Sequence, residues 1–310
     1  MKILFKYIKN FLKEDFRYVT YLPVLIYIAI CLSINFHFDF EHKILDSYVG
    51  TLKGFLYYFI FYGTAYFPVA AYVLIINKKQ YVLNNYKFWL KTLFIIALLG
   101  GSAFFAFYQD IINLFAEQPE RYFIRKILIN SRNFLMLLLP LIFFWYALKP
   151  YKSGFLWLKL KGFSSKPYFY ILLIMVPVIL IASFGSDFQI TYPTFKPWST
   201  GNAFGLEKWQ SGGIYELFYG VDFITVEMIF RGALVLGMFK LLGKDCILPM
   251  LSVYCFLHFG KPMGEAISSI FGGYVLGVIA LNTKSIVGGS IVHIGVAWLM
   301  ELFAYLQHYI

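Results

Sequence analysis

The stretch Val226-Glu227-Met228-Ile229-Phe230-Arg231-Gly232 sets a carboxylate and a guanidinium four residues apart inside an apolar run, and two histidines in apolar surroundings, His258 and His293, follow downstream. At positions i and i+4 of a helix the two charges share one face, where pairing lowers the cost of burying either. Ionisable groups in hydrocarbon are expensive and usually face a cavity or one another, so this set is where function is to be sought. Glu227, His258 and His293 together could activate water as general bases or hold a metal such as zinc. The spacing does not choose between these, and without a His-Glu-x-x-His string a metal site would have to assemble from three helices. A purely structural ion pair is the competing reading of Glu227 and Arg231.

The elements that must carry these groups are membrane helices. Of 310 residues, 60% are hydrophobic, 21% aromatic and 14% charged, and the mean hydropathy is +0.69; such a composition excludes a water-soluble globule. Apolar runs long enough for a helical crossing of ~30 Å occur at Tyr18 to Phe36, Phe55 to Ile76, Phe88 to Tyr108, Phe134 to Leu148, Tyr168 to Phe184, Ile214 to Leu236, Ile247 to Phe259, Ala266 to Leu281 and Ile286 to Leu306. The expected fold is an all-α polytopic bundle of about eight or nine transmembrane helices. Ahead of it, residues 1–17 carry Lys2, Lys6, Lys9, Lys13 and Arg17 opposite Leu4, Phe5, Ile8, Phe11 and Leu12, the pattern of a basic interfacial helix. The first apolar run is too long and too aromatic for a cleaved signal peptide, so the mature chain is expected to begin at Met1.

The net charge is +11, but the lysines lie at span ends rather than in one patch. Membrane lipids with anionic headgroups, not nucleic acid, are the partners this predicts. The loop with Arg121, Arg125, Lys126 and Arg132 runs against the charge asymmetry expected of alternating loops. Cys31, Cys246 and Cys255 are spaced unlike any metal or redox motif.

A polar interruption rich in Ser, Thr, Pro, Gly and Trp, residues 185–213, divides the chain and reads as an extramembrane loop. Upstream, residues 18–184 hold almost no charge within spans except Lys91, near a span end, and read as scaffold helices. Downstream, residues 214–310 concentrate Glu216, Asp222, Glu227, Arg231, His258, Glu265, His293 and Glu301, and small residues such as Gly272, Gly273, Gly277, Gly288 and Gly289 permit close helix approach. Lys261 and Glu265 read as membrane-face charges; His37, His42 and His308 receive no role. The absence of a visible internal repeat, with polar residues in one half only, disfavours a transporter.

In order, the segments VEMIFRG, YCFLHFGKP and HIGVAWLMEL resemble the CPBP intramembrane proteases, which include the CAAX prenyl endopeptidases and bacteriocin-processing or self-immunity proteins. That family's pattern is Glu-Glu-x-x-x-Arg on one membrane helix, Phe-x-x-x-His on the next and His-x-x-x-Asn or Asp on a later one. The resemblance implies an intramembrane endopeptidase in a bacterial cytoplasmic membrane. It would cleave a peptide or membrane protein near the membrane surface by Glu/His-activated water, with Glu227, Arg231, His258 and His293 as catalytic residues. Zinc on Glu227, His258 and His293 is the metal option. Three departures stand out: Val226 replaces the first glutamate, Tyr254 the Phe, and Ala297 the Asn. They leave three readings open. Glu227 is itself the base, held by Arg231; or Glu301 or Asp222 substitutes; or the protein is an inactive family member serving as a binding scaffold.

Overall fold

The computed structural model describes residues 2–104, 108–148, 154–199 and 201–309. Small parts of the expected N-terminal helix, of the third span, of the scaffold segment, of the 185–213 segment and of the C-terminal module fall on Met1, 105–107, 149–153, Thr200 and Ile310, outside the described residues.

The described residues form helices in chain order: α1 (Lys2–Asp15), α2 (Tyr18–Phe38), α3 (Leu52–Ile76), α4 (Tyr86–Phe104), α5 (Tyr108–Ile112), α6 (Gln118–Leu148), α7 (Lys166–Ala182), α8 (Ser186–Thr191), α9 (Lys208–Glu227), α10 (Phe239–Leu242), α11 (Ile247–Phe256), α12 (Met263–Thr283) and α13 (Val287–Tyr309). Two wider π segments occur, Glu41–Leu45 and Met228–Gly237. No strand occurs among the described residues. The protein is a helical polytopic membrane protein, and six helical stretches among the described residues are long and apolar enough to cross a membrane. α7 has 17 residues and is a shorter apolar helix. The run from Ile247 yields a helix of only 10 residues, because Gly260 and Pro262 end helical winding.

The chain forms two compact units: Met1–Phe104, Leu141–Phe163 and Glu227–Gly289 make one, and Phe105–Pro140, Ser164–Val226 and Ser290–Ile310 the other. In the first, α3 packs on α4 and α11, and α11 on α12. The α11–α12 approach depends on Gly273, where an added Cβ would sit 2.8 Å from Cδ1 of Tyr254 and 2.9 Å from Leu251. The small residues of α12 thus clamp Tyr254 against its own helix. The basic N-terminal helix α1 lies in this unit, burying Leu4 and Phe11 and meeting α12 through the Phe11–Tyr274 ring pair.

In the second unit a column of rings, Tyr122, Phe195, Tyr215 and Tyr219, stacks at centroid separations of 5.4, 5.0 and 5.6 Å. Residues 185–213 are held in place here: Phe188, Tyr192, Phe195 and Ala203 are buried. Glu301 of α13 accepts hydrogen bonds from the Thr194 amide at 2.9 and 3.0 Å and from its hydroxyl at 2.7 Å.

Candidate active site

Glu227 is the last residue of α9, and the chain then widens into the π segment. A π segment shifts the azimuth of every later side chain relative to an α-helix and often marks a functional position. Glu227 and Arg231 are both fully buried, 0% exposed, with Nη1 of Arg231 2.8 Å from Oε1 of Glu227. Charges so placed are tolerated only when paired and oriented.

The surroundings supply that orientation. Oε2 of Glu227 lies so near Gly289 that a Cβ there would be within 2.4 Å of it, so only glycine fits. Gly289 is in the first turn of α13, and the partial positive charge of a helix N-terminus stabilises a carboxylate beside it. The Arg231 guanidinium carbon sits 4.2 Å from the centroid of the Tyr254 ring, a cation–π contact. The Arg231 side chain also hydrogen-bonds that of Tyr254.

Tyr254 carries the row onward to His258, their rings 4.6 Å apart. Nδ1 of His258 is 2.8 Å from the Tyr254 carbonyl oxygen; a carbonyl only accepts, so Nδ1 carries a proton. The pairing follows from winding, since residues four apart on α11 lie on one face. Glu227, Arg231, Tyr254 and half-buried His258 therefore form one continuous row in the first unit. Glu265, in the first turn of α12, is half-buried and acts electrostatically on Tyr254.

The other candidates sit as follows. His293 belongs to the second unit, half-buried, with its ring 4.5 Å from that of Phe223. Glu301 is engaged by Thr194, as above, and Asp222 accepts from Nδ2 of Asn133 at 3.3 Å. Ala297 is buried in an apolar cluster with Phe123, Phe195, Ala203, Tyr215 and Tyr219. Among the described residues no group of three or more His, Cys, Asp or Glu side chains could hold a metal ion, and zinc on Glu227, His258 and His293 stays an expectation of the sequence alone. Sequence reasoning passed over two contributors, Tyr254 as the platform for Arg231 and Gly289 as the floor beneath Glu227. The i, i+4 spacing of Tyr254 and His258 was a visible signal for the first; nothing local announced the second.

Fold and buried ion pair together define a helical integral membrane protein with a preorganised polar centre. Residues 215–299 match the family model described as type II CAAX prenyl endopeptidase Rce1-like. That segment, which holds the first two motif pieces and the start of the third, is similar to the CPBP/CAAX proteases. No curated protein and no solved structure matches the chain.

Proposed function

We propose that the protein is an intramembrane endopeptidase that hydrolyses a peptide bond of a peptide or membrane-protein substrate near the membrane surface. The observation that carries this reading is the buried Glu227–Arg231 pair stacked through Tyr254 onto His258. Arg231 and the N-terminus of α13 hold the Glu227 carboxyl group in place. Glu227 and the Nε2 lone pair of His258 are the two acceptors for a proton from water, whose oxygen then attacks the scissile carbonyl. The Arg231 guanidinium, shared between Glu227 and Tyr254, supplies positive charge for the oxyanion that forms, and the proton taken from water passes to the departing amine. His293 is assigned a catalytic role on the family pattern alone. The Val226 position leaves the base work to Glu227 and His258. We place the protein in a bacterial cytoplasmic membrane, with α1 on anionic lipid.

Val226 and the apolar burial of Ala297 favour a second reading, a scaffold that binds a peptide segment without cutting it. A peptide library presented to the purified protein in lipid vesicles made up in ¹⁸O-water separates the two. Hydrolysis places one ¹⁸O in each new carboxyl terminus, and Glu227→Gln abolishes it. Peptides retained uncut by both proteins speak for the scaffold.

A further inference from the structure

A second polar cluster lies beside the candidate site, between α2 and α3, and the reading above does not use it. Asn35 of α2, 4% exposed, donates from Nδ2 to the Phe259 carbonyl at 2.9 Å and accepts the Glu41 amide on Oδ1 at 3.1 Å. One buried amide thus ties the start of the first π segment to the residue directly after His258. The Glu41 carboxyl group then folds over the next residue: a Cβ on Gly260 would lie 3.3 Å from Cδ and 3.4 Å from each carboxyl oxygen of Glu41. The Gly260 amide acts on that carboxylate as a hydrogen-bond donor, and Lys261 supplies a cation in range. Oε2 of Glu41 is buried with no hydrogen-bond partner among the described residues. The same turn is walled by rings: Phe61 of α3 packs at 5.0 Å on Phe256 and 5.6 Å on Phe259.

Burying a carboxylate here is unfavourable on its own. Asp46 is a like charge nearby, itself bonded by the Tyr58 hydroxyl at 2.5 Å, and packing alone would be served better by an apolar side chain. What the carboxyl group supplies, through its carbonyl oxygen, is an acceptor for a backbone amide in the turn two residues past the imidazole. We infer that Glu41 is a positioning residue for His258: with Asn35 it clamps the Phe259-Gly260 turn and so fixes the direction of the imidazole. The effect on catalysis rests on the hydrolytic reading above; the effect on the turn does not.

The test is carried out on the full chain in lipid vesicles, with Glu41→Gln, Glu41→Ala and Gly260→Ala. Glu41→Gln keeps a carbonyl acceptor, and amide hydrogen exchange over 257–262 stays within about twofold of wild type. Glu41→Ala removes the acceptor and speeds that exchange roughly tenfold, the ratio expected from one lost buried hydrogen bond. Gly260→Ala pushes the carboxylate aside and gives the same acceleration, which keeps the test available if Glu41→Ala does not fold. Cleavage follows the exchange: kcat falls about tenfold in the two disruptive variants with KM unchanged, and Glu41→Gln restores it. Wild-type exchange in folded Glu41→Ala or Gly260→Ala overturns the clamp. Faster exchange with unaltered kcat keeps the clamp and removes its bearing on His258, whereas a wild type that cuts nothing defeats the hydrolytic reading and leaves the exchange result standing.

Discussion

Replacing Arg231 by Met strands a buried carboxylate, and the structure sets the scale of the damage. Unit charges 2.8 Å apart attract by ~6 kcal/mol at an effective dielectric of ~20. Desolvation of both ions offsets most of this, so the intact pair contributes little net stability against an apolar replacement of the whole pair. Removing one partner is different, because Glu227 stays 0% exposed with its charge unanswered; the expected loss is about 3–5 kcal/mol, plus up to ~2 kcal/mol for the cation–π contact with Tyr254. Glu227→Gln in turn strands the Arg231 guanidinium, equally buried and unable to give up its proton, against a neutral carbonyl, and is expected to cost a similar amount. In the double variant no carboxylate remains to be stranded, so it is less destabilised than the sum of the two single changes by about 2 kcal/mol or more. Denaturant unfolding of the four proteins in one detergent, followed by tryptophan fluorescence, measures the cycle. An Arg231→Met protein within ~0.5 kcal/mol of wild type, or strict additivity, would refute the burial and pairing argued here.

Gly289→Ala forces a methyl to within 2.4 Å of Oε2 of Glu227 and is expected to destabilise by ~1–3 kcal/mol and to abolish cleavage, whereas Gly264→Ala, with open space around it, is expected to do neither; both are read by unfolding and peptide assay. Tyr254→Phe keeps the ring and is expected to hold stability within ~1 kcal/mol, while Tyr254→Leu loses the contact with Arg231 and a further ~1–2 kcal/mol. Glu301→Ala leaves the Thr194 amide unanswered, while its hydroxyl keeps the Tyr215 hydroxyl at 2.6 Å, and is expected to cost ~1–3 kcal/mol and to speed proteolysis within 185–213, with the Glu227 row unaffected. Glu41, outside the membrane spans, has its carboxyl pushed up to about 8, by burial first and then by Asp46. A carboxyl whose folded value is raised takes up a proton on folding, so its contribution declines as pH rises from the ordinary carboxylate range to about 8, by at most ~1.4 kcal/mol per pH unit. Thermal unfolding across that window is therefore expected to show a smaller alkaline loss for Glu41→Gln than for wild type, and equal slopes would contradict it.

The membrane class, the basic first helix and the residues of the central row were all legible in the sequence, because each rests on local spacing. Glu227 and Arg231, like Tyr254 and His258, stand four apart, and a helix of almost any winding brings such pairs together. The π segment was not legible: periodicity reasoning assumes 3.6 residues per turn, and nothing in MIFRGALVLG signals wider winding. Glu301 was a candidate to substitute for the missing first glutamate, yet its partner Thr194 is 107 residues away, and no local pattern foretells that bond. Glu41 escaped for the same reason, since Gly260 comes to it from the far end of the chain. The apolar run was expected to reach Phe259; α11 stops at Phe256, and that shortening places His258 in a turn rather than inside a span.

The central claim is that Glu227 and His258 work together on water. Its most direct test compares new peptide termini in membranes of cells expressing the wild type, Glu227→Gln, His258→Ala and His293→Ala at equal folded abundance. The account predicts a set of termini present with the wild type and lost in Glu227→Gln and His258→Ala alike; His293→Ala reports whether the third motif position belongs to the same centre. Identical termini in the wild type and in the folded Glu227 and His258 variants would contradict hydrolysis at this site and leave a peptide-binding scaffold in its place.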